Sequence, residues 1–235
     1  MAMLVAAAAF FLALHLLVAG TRIRDAVVGL VGERPYLGLF SLASVAGIVW
    51  LAVSYNLAGR YGPPVVWNFA PGVTHAGILI VGIAFLLGVP GLLMPNPTAI
   101  MQESSAGREG VVKGVLRITR HPFLWGAALW AGFHLAANGD EASIVFFGTF
   151  LVLAVAGTFS IDAKRARKMG GDWAAFARQT SNIPFGAILA GRNSLNLGEL
   201  LDYRLAAAVL ALLVVLFAHP LLFGVSPFPG GWSPY

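Results

Sequence analysis

His15 and His134 lie inside apolar segments of this chain, where an ionisable side chain is costly and therefore marks a candidate functional site. His15 lies in the run F-L-A-L-H-L, and His134 ends the stretch R-I-T-R-H-P-F-L-W-G-A-A-L-W-A-G-F-H. Neutral imidazole is a good ligand for iron, and helical bundles commonly bind cofactors between facing helices. The pair could therefore be the axial ligands of a haem held between two helices. The alternative is that each histidine hydrogen-bonds a neighbouring helix.

The depths of the two histidines in their segments differ. His15 is about five residues from the end of its apolar segment and His134 about twelve, so the offset along the helix axes is roughly 10 Å. Helix tilt, or continuation of the first helix towards Arg24, would reduce this offset. His75 and His219 are alternative partners of His134, and His75 is the first of the two to consider.

A cationic cluster precedes the segment of His134. Arg117, Arg120 and His121 fall within five residues, and Pro122 then begins a helix. We expect this cluster at the membrane surface, where it could hold a carboxylate or phosphate from haem propionates, a lipid head group or a nucleotide-like cosubstrate. The alternative is that it serves only as a cytoplasmic charge signal.

Composition assigns the chain to the integral membrane proteins. Of its 235 residues 58% are apolar, and 25 carry a formal charge. The absence of cysteine excludes disulfides, thiolate metal ligands and cysteine nucleophiles, and no H-E-x-x-H motif supports zinc. The net charge of +5 predicts basic loops and not nucleic-acid binding. Membrane lipids are expected partners, and the oligomeric state stays open.

Hydropathy predicts an all-α fold, a single-domain bundle of six transmembrane helices. The predicted spans are 3–19, 36–57, 73–94, 122–137, 142–161 and 205–223. Of the fifteen Lys and Arg, fourteen follow the first, third or fifth span, and Arg60 is the exception. The positive-inside rule then places both termini on the non-cytoplasmic side of a membrane, the bacterial inner membrane.

Two further patterns predict local structure. Asp162-x-Lys164-Arg165, followed by Trp173 and Phe176, predicts an amphipathic cytoplasmic helix whose aromatic rings reach the acyl boundary. Small residues at four-residue spacing, such as Ala128 and Gly132, predict close helix packing and a central position for the fourth span.

The chain resembles the NnrU family over nearly its full length. The resemblance rests on F-L-A-L-H around His15, E-R-P-Y-L-G-L-F-S-L-A-S, R-H-P-F-L-W-G from Arg120, and L-W-A-G-F-H-L-A-A-N-G-D. That family is named for a role linked to denitrification and nitric oxide metabolism. It is similar to the 15-cis-zeta-carotene isomerases, which implies haem b with two histidine ligands. The positions that match those ligands are His15, by its place in the first span, and His134, by its thirteen-residue separation from His121.

A weaker resemblance implies a different function. Arg120–Gly126, together with Asp162 and G-G-D-W, is similar to the C-terminal half of isoprenylcysteine-type membrane methyltransferases, which bind S-adenosylmethionine. Trp125 replaces the tyrosine of that motif, and Ile161-Asp162 stands where the family has a glutamate pair. A shared fold with a different cofactor is the more economical interpretation.

The leading hypothesis is therefore a haem-b membrane protein with a redox or isomerase-type role on a hydrophobic substrate, or on a diatomic gas. The alternatives are a methyltransferase and a non-enzymatic membrane factor for nitric oxide metabolism. Apolar segments carry no information on which substrate is bound.

Overall fold

The protein is a bundle of helices, seen here in a computed structural model that describes residues 1–228 apart from the side chains of Ala70, Pro71 and Thr74. The helices are α1 (Ala2–Leu12), α2 (Arg22–Val31), α3 (Glu33–Gly59), α4 (Ala70–Leu93), α5 (Val115–Ile118), α6 (Pro122–Ala137), α7 (Glu141–Gln179), α8 (Gly186–Leu189) and α9 (Tyr203–Phe223). A π-helical turn, Ala13–Val18, extends α1, and Glu103–Gly107 and Leu197–Leu200 form 3₁₀ turns. Among the described residues the one β-type pairing is an isolated bridge between Val65 and Asp140. The all-α prediction is confirmed.

Capping residues set where several helices begin. The side chain of Thr21 accepts a hydrogen bond from the Ile23 amide at the start of α2, and Asp140 accepts one from the Ser143 amide at the start of α7. Pro122 occupies the first turn of α6, where a missing amide hydrogen costs nothing. These signals were readable in the sequence, and the helix starts lie close to the predicted span boundaries.

Among the described residues, four helices are long and apolar enough to cross a membrane: α3, α4 from His75, α7 and α9. The α1 segment and α2 meet at an angle of 81° and make a fifth candidate if the bent pair is one span. Helix α6 has 16 residues, fewer than the roughly 20 that a hydrocarbon core requires. Six full spans are thus not established, although each predicted span corresponds to a helix.

The helices pack in a row of neighbours in which α6 lies between α4 and α7, while α1 packs against α3 and α7. Glycines permit the closest of these contacts. A Cβ on Gly126 would lie 2.6 Å from the Ala84 carbonyl oxygen, and one on Gly91 would lie 2.7 Å from the Pro122 ring. The prediction that the fourth span is central is therefore confirmed, because α6 touches neighbours on two sides.

The three basic segments meet at one end of the bundle, which we call the basic end. Lys164 Nζ donates to the Ala19 carbonyl at 3.2 Å, and Arg165 donates to the Ala99 carbonyl at 2.8 Å. These contacts join the basic second half of α7 to the segments that follow α1 and α4, as the charge asymmetry predicts. Residues 229–235, which include the predicted non-cytoplasmic C-terminus, lie outside the described part of the chain.

The amphipathic segment differs from its prediction. Helix α7 continues past Ile161 and breaks at Gly170, whose φ of 55° is a left-handed conformation that favours glycine. Beyond this break Trp173 and Phe176 are buried against Ala106 and Val112. The predicted contact of these two rings with lipid acyl chains is wrong, because the basic end covers them with its own 3₁₀ turn and loop.

Candidate functional site

His15 lies within the π-helical turn at the end of α1. Its Nδ1 is 2.8 Å from the Phe11 carbonyl oxygen, one turn earlier in its own helix. Its ring packs on Phe11 at 4.4 Å and on Phe40 of α3 at 5.2 Å, measured between ring centroids. Single π-helical turns inside α-helices are frequent at functional sites.

His134 lies in the last turn of α6 and repeats this arrangement. Its Nδ1 is 2.8 Å from the Trp130 carbonyl oxygen, again one turn earlier. Its ring packs on Trp130, Phe133 and Phe147 of α7 at centroid distances of 5.0, 5.3 and 5.1 Å. Both imidazoles are half-buried.

The two hydrogen bonds set the chemistry of both imidazoles. A backbone carbonyl can only accept, so Nδ1 carries the proton and donates it, and the lone pair of the neutral ring is on Nε2. Neither Nε2 makes a hydrogen bond within the described residues. This is the tautomer in which histidine binds a metal through Nε2 while Nδ1–H is held by an acceptor. Within the described residues neither histidine hydrogen-bonds a neighbouring helix.

Aromatic side chains connect the two histidines. The imidazoles do not contact each other. The Phe150 ring of α7 packs on Phe11 at 5.9 Å and on Trp130 at 5.7 Å, and these two rings in turn pack on His15 and His134. The residues present fit a haem in their donor chemistry and in their apolar, aromatic surroundings. Sequence reasoning found both histidines but missed Phe150, because nothing in its spacing distinguishes it from other apolar residues.

His219 and His75 occupy different positions. His219 of α9 places its Nδ1 2.8 Å from the Val225 carbonyl oxygen. His75 is exposed near the start of α4. Among the described residues no cluster of three or more His, Asp or Glu side chains forms a metal site.

The two arginines of the predicted cationic cluster form ion pairs with two different carboxylates of this chain. Arg117 donates from Nε and Nη2 to the two oxygens of Glu199 at 2.7 and 2.8 Å. Arg120 donates to Asp162 in the same forked way, with Nε 2.9 Å from Oδ1. The cations expected to bind an external anion are therefore already paired within the chain.

At the basic end, His121 lies inside the protein. This residue is 2% exposed, and its Nε2 donates to Asp162 Oδ1 at 2.7 Å. Burial lowers the pKa of His121 below its usual value, which favours the neutral ring. The same carboxylate accepts from Asn182, and Trp125 donates to the Asn182 carbonyl at 2.8 Å. Asp162 thus joins the R-H-P turn to α7 and to the loop that follows it.

Comparison with known proteins connects this geometry to a family. The family model of the NnrU protein matches residues 3–227. The chain is 27% identical over 212 residues to the chloroplastic 15-cis-zeta-carotene isomerase of Arabidopsis thaliana, covering 87% of this chain and 56% of that protein. It is 25% identical over 206 residues to the Zea mays protein of the same description, covering 85% and 55%. The chain thus spans about half the length of these relatives. No solved structure matches it.

Proposed function

Because this chain belongs to the NnrU family, we propose that it is a haem-b-binding membrane protein with an isomerase-type or redox role on a hydrophobic substrate. The single observation that carries the proposal is the repeated arrangement of His15 and His134. Each donates Nδ1–H to the carbonyl one turn earlier, and its Nε2 makes no hydrogen bond within residues 1–228. The relatives that are named as 15-cis-zeta-carotene isomerases support the isomerase-type reaction.

In this proposal His15 and His134 hold the haem iron through Nε2. When bound, haem b supplies an iron centre that exchanges single electrons. The two backbone carbonyls keep each imidazole in the ligating tautomer, and the surrounding aromatic rings exclude water from it. Those rings also provide apolar surface for a hydrocarbon substrate.

The first experiment measures haem content and activity together. The protein is expressed with ample haem supply, purified in detergent and assayed for haem b by its pyridine haemochrome. We expect about one haem per chain. The loaded protein is then incubated with 15-cis-zeta-carotene under reducing conditions, and we expect its cis bond to isomerise only in the haem-containing fraction. Haem binding without isomerisation would contradict the isomerase-type role and leave the redox role.

The methyltransferase alternative makes a different prediction, which is saturable binding of S-adenosylmethionine lost on Arg120→Ala. We expect no binding at sub-millimolar concentration by calorimetry, because Asp162 already occupies the donors of Arg120 and His121. Micromolar affinity for S-adenosylmethionine would favour the methyltransferase over the haem protein.

A non-enzymatic role in nitric oxide metabolism would show as haem-dependent binding of nitric oxide without turnover of the carotene.

A further inference from the structure

A cleft of ≈ 490 Å³ lies between α4 and α9 at the basic end. One wall is an apolar stripe of α4, whose members recur at three- and four-residue spacing and so share a helix face. These are Ile83, Leu86, Leu87 and Pro90, and Met94 lines the cleft just beyond the helix end. The stripe runs about 10 Å along the helix axis, and Leu205 of α9 lines the opposite side. The shape of the cleft suits one extended hydrocarbon chain.

An aromatic ring also lines the cleft from a strained backbone position. Phe185 has φ 63°, which a residue with a Cβ rarely adopts, and its side chain is 46% exposed. The Phe185 amide donates to the Ile118 carbonyl at 2.8 Å, and this bond helps to hold the conformation. Strained residues concentrate at ligand-binding positions, so this ring is a second, independent indication of a ligand.

The charges at the cleft leave one cation unpaired. Glu199 is paired with Arg117, and Asp202 is paired with Arg204. Lys113 also lines the cleft, is exposed, and has no ion-pair partner within residues 1–228. The polar end of the cleft therefore carries one surplus positive charge next to an apolar channel.

We propose that this cleft binds an anionic membrane lipid, with one acyl chain along the α4 stripe and the head group at Lys113. An uncharged hydrocarbon would leave the Lys113 charge without a partner, and a soluble anion would leave the apolar stripe unused. This site is separate from the histidine pair, and the proposal does not depend on haem.

Lipid quenching of a fluorescent label tests the proposal, because the chain has no cysteine and a single introduced cysteine is labelled uniquely. Bimane is attached to Leu86→Cys, which lines the cleft, or to Leu79→Cys, which is 68% exposed on the same helix outside it. Each protein is placed in phosphatidylcholine nanodiscs that contain a small fraction of doxyl-labelled phosphatidylglycerol or doxyl-labelled phosphatidylcholine. Quenching at Leu79→Cys reports incorporation and the bulk lipid composition for every variant.

At Leu86→Cys we expect doxyl phosphatidylglycerol to quench about fivefold more effectively than doxyl phosphatidylcholine, the preference that one interfacial lysine confers. At Leu79→Cys the two lipids should quench equally. Lys113→Glu should abolish the preference, whereas Arg167→Glu, which changes an exposed arginine outside the cleft, should retain it. Three results would overturn the proposal. The first is equal quenching by both lipids at Leu86→Cys, and the second is no quenching at Leu86→Cys by either lipid. The third is a preference for doxyl phosphatidylglycerol that survives in Lys113→Glu.

Discussion

At the scale of single residues, Asp162 of α7 organises the basic end because its carboxylate accepts hydrogen bonds from two other segments. Arg120 and His121 come from the R-H-P turn, and Asn182 comes from the loop after α7. The side chains of Asp162 and Arg120 are only 17% and 14% exposed. Removing one partner of a charge pair that is so little exposed to water costs much stability, because the other charge is left unpaired.

Replacing Asp162 with alanine should therefore destabilise the protein strongly. Loss of one partner of a buried pair leaves the other charge unpaired, which costs on the order of 3 kcal/mol. The matched control is Asp25→Ala, whose half-exposed pair with Lys168 should contribute at most about 1 kcal/mol. Fluorescence-detected size exclusion after heating gives the unfolding temperature of each variant. Equal losses in the two variants would contradict the central role of Asp162.

The pair of Arg117 with Glu199 predicts a pH dependence of stability. The hydrogen bonds from Arg117 lower the pKa of Glu199 from 4.5 to about 2. A carboxylate whose pKa is lower in the folded chain than in the unfolded chain stabilises the folded state at pH values above the unfolded-state pKa. This stabilisation is lost as the pH falls through the folded-state pKa. Wild type should be more stable than Glu199→Gln above about pH 5, and the difference should shrink between pH 4.5 and 2.

Unfolding temperatures of both proteins across this pH range provide the measurement. Glu109→Gln is the control, because Glu109 is exposed and makes no ion pair within the described residues. Its difference from wild type should stay small across this range. A Glu199→Gln difference that is constant with pH would show that the side chain contributes packing and not charge.

At the scale of helices, the position of His134 depends on how closely α6 approaches α4. A Cβ on Gly126 would lie 2.6 Å from the Ala84 carbonyl oxygen and 3.0 Å from the Gly88 amide nitrogen, and neither backbone atom can rotate away. We expect Gly126→Ala to push the two helices apart at a cost of about 1–3 kcal/mol.

The control for this variant is Gly148→Ala in α7, where an added Cβ meets nothing within 4 Å. It should leave the unfolding temperature unchanged or raise it, since alanine favours helix by up to about 1 kcal/mol over glycine. A fall in unfolding temperature as large for Gly148→Ala as for Gly126→Ala would contradict the close-contact explanation.

The sequence predicted the helices of this bundle better than it predicted their contacts. Apolar runs ending at Pro95 or Asn138 locate helices, because the hydrophobic pattern and the capping residues act locally. The sequence also singled out His15 and His134, because an imidazole inside an apolar run is rare. It did not predict the partner of Arg117, because Glu199 is 82 residues away and only the folded chain brings them together. The π-helical turn around His15 likewise has no local signature.

At the scale of the whole molecule, the meeting of the basic segments at one end agrees with the charge asymmetry, and the compartment at that end is a prediction. Reporter fusions inserted after Arg108 and Arg178 should report the cytoplasm, whereas an insertion at Gly62 should report the opposite side. The physical reason is that Lys and Arg residues resist translocation across the membrane, and fourteen of the fifteen lie on the side of the basic end. A cytoplasmic signal from Gly62 would contradict this topology.

The most direct test of the central claim is the optical spectrum of the haem-loaded protein and its histidine variants. Wild type, when reduced, should show sharp low-spin bands, because two imidazoles ligate the iron. His134→Ala should lose haem or turn high-spin. His15→Ala should turn high-spin and regain the low-spin bands on addition of imidazole, while His219→Ala and His75→Ala should retain them. A silent His15→Ala with an altered His219→Ala would contradict the proposed ligand pair, and a colourless wild-type protein would contradict the haem site itself.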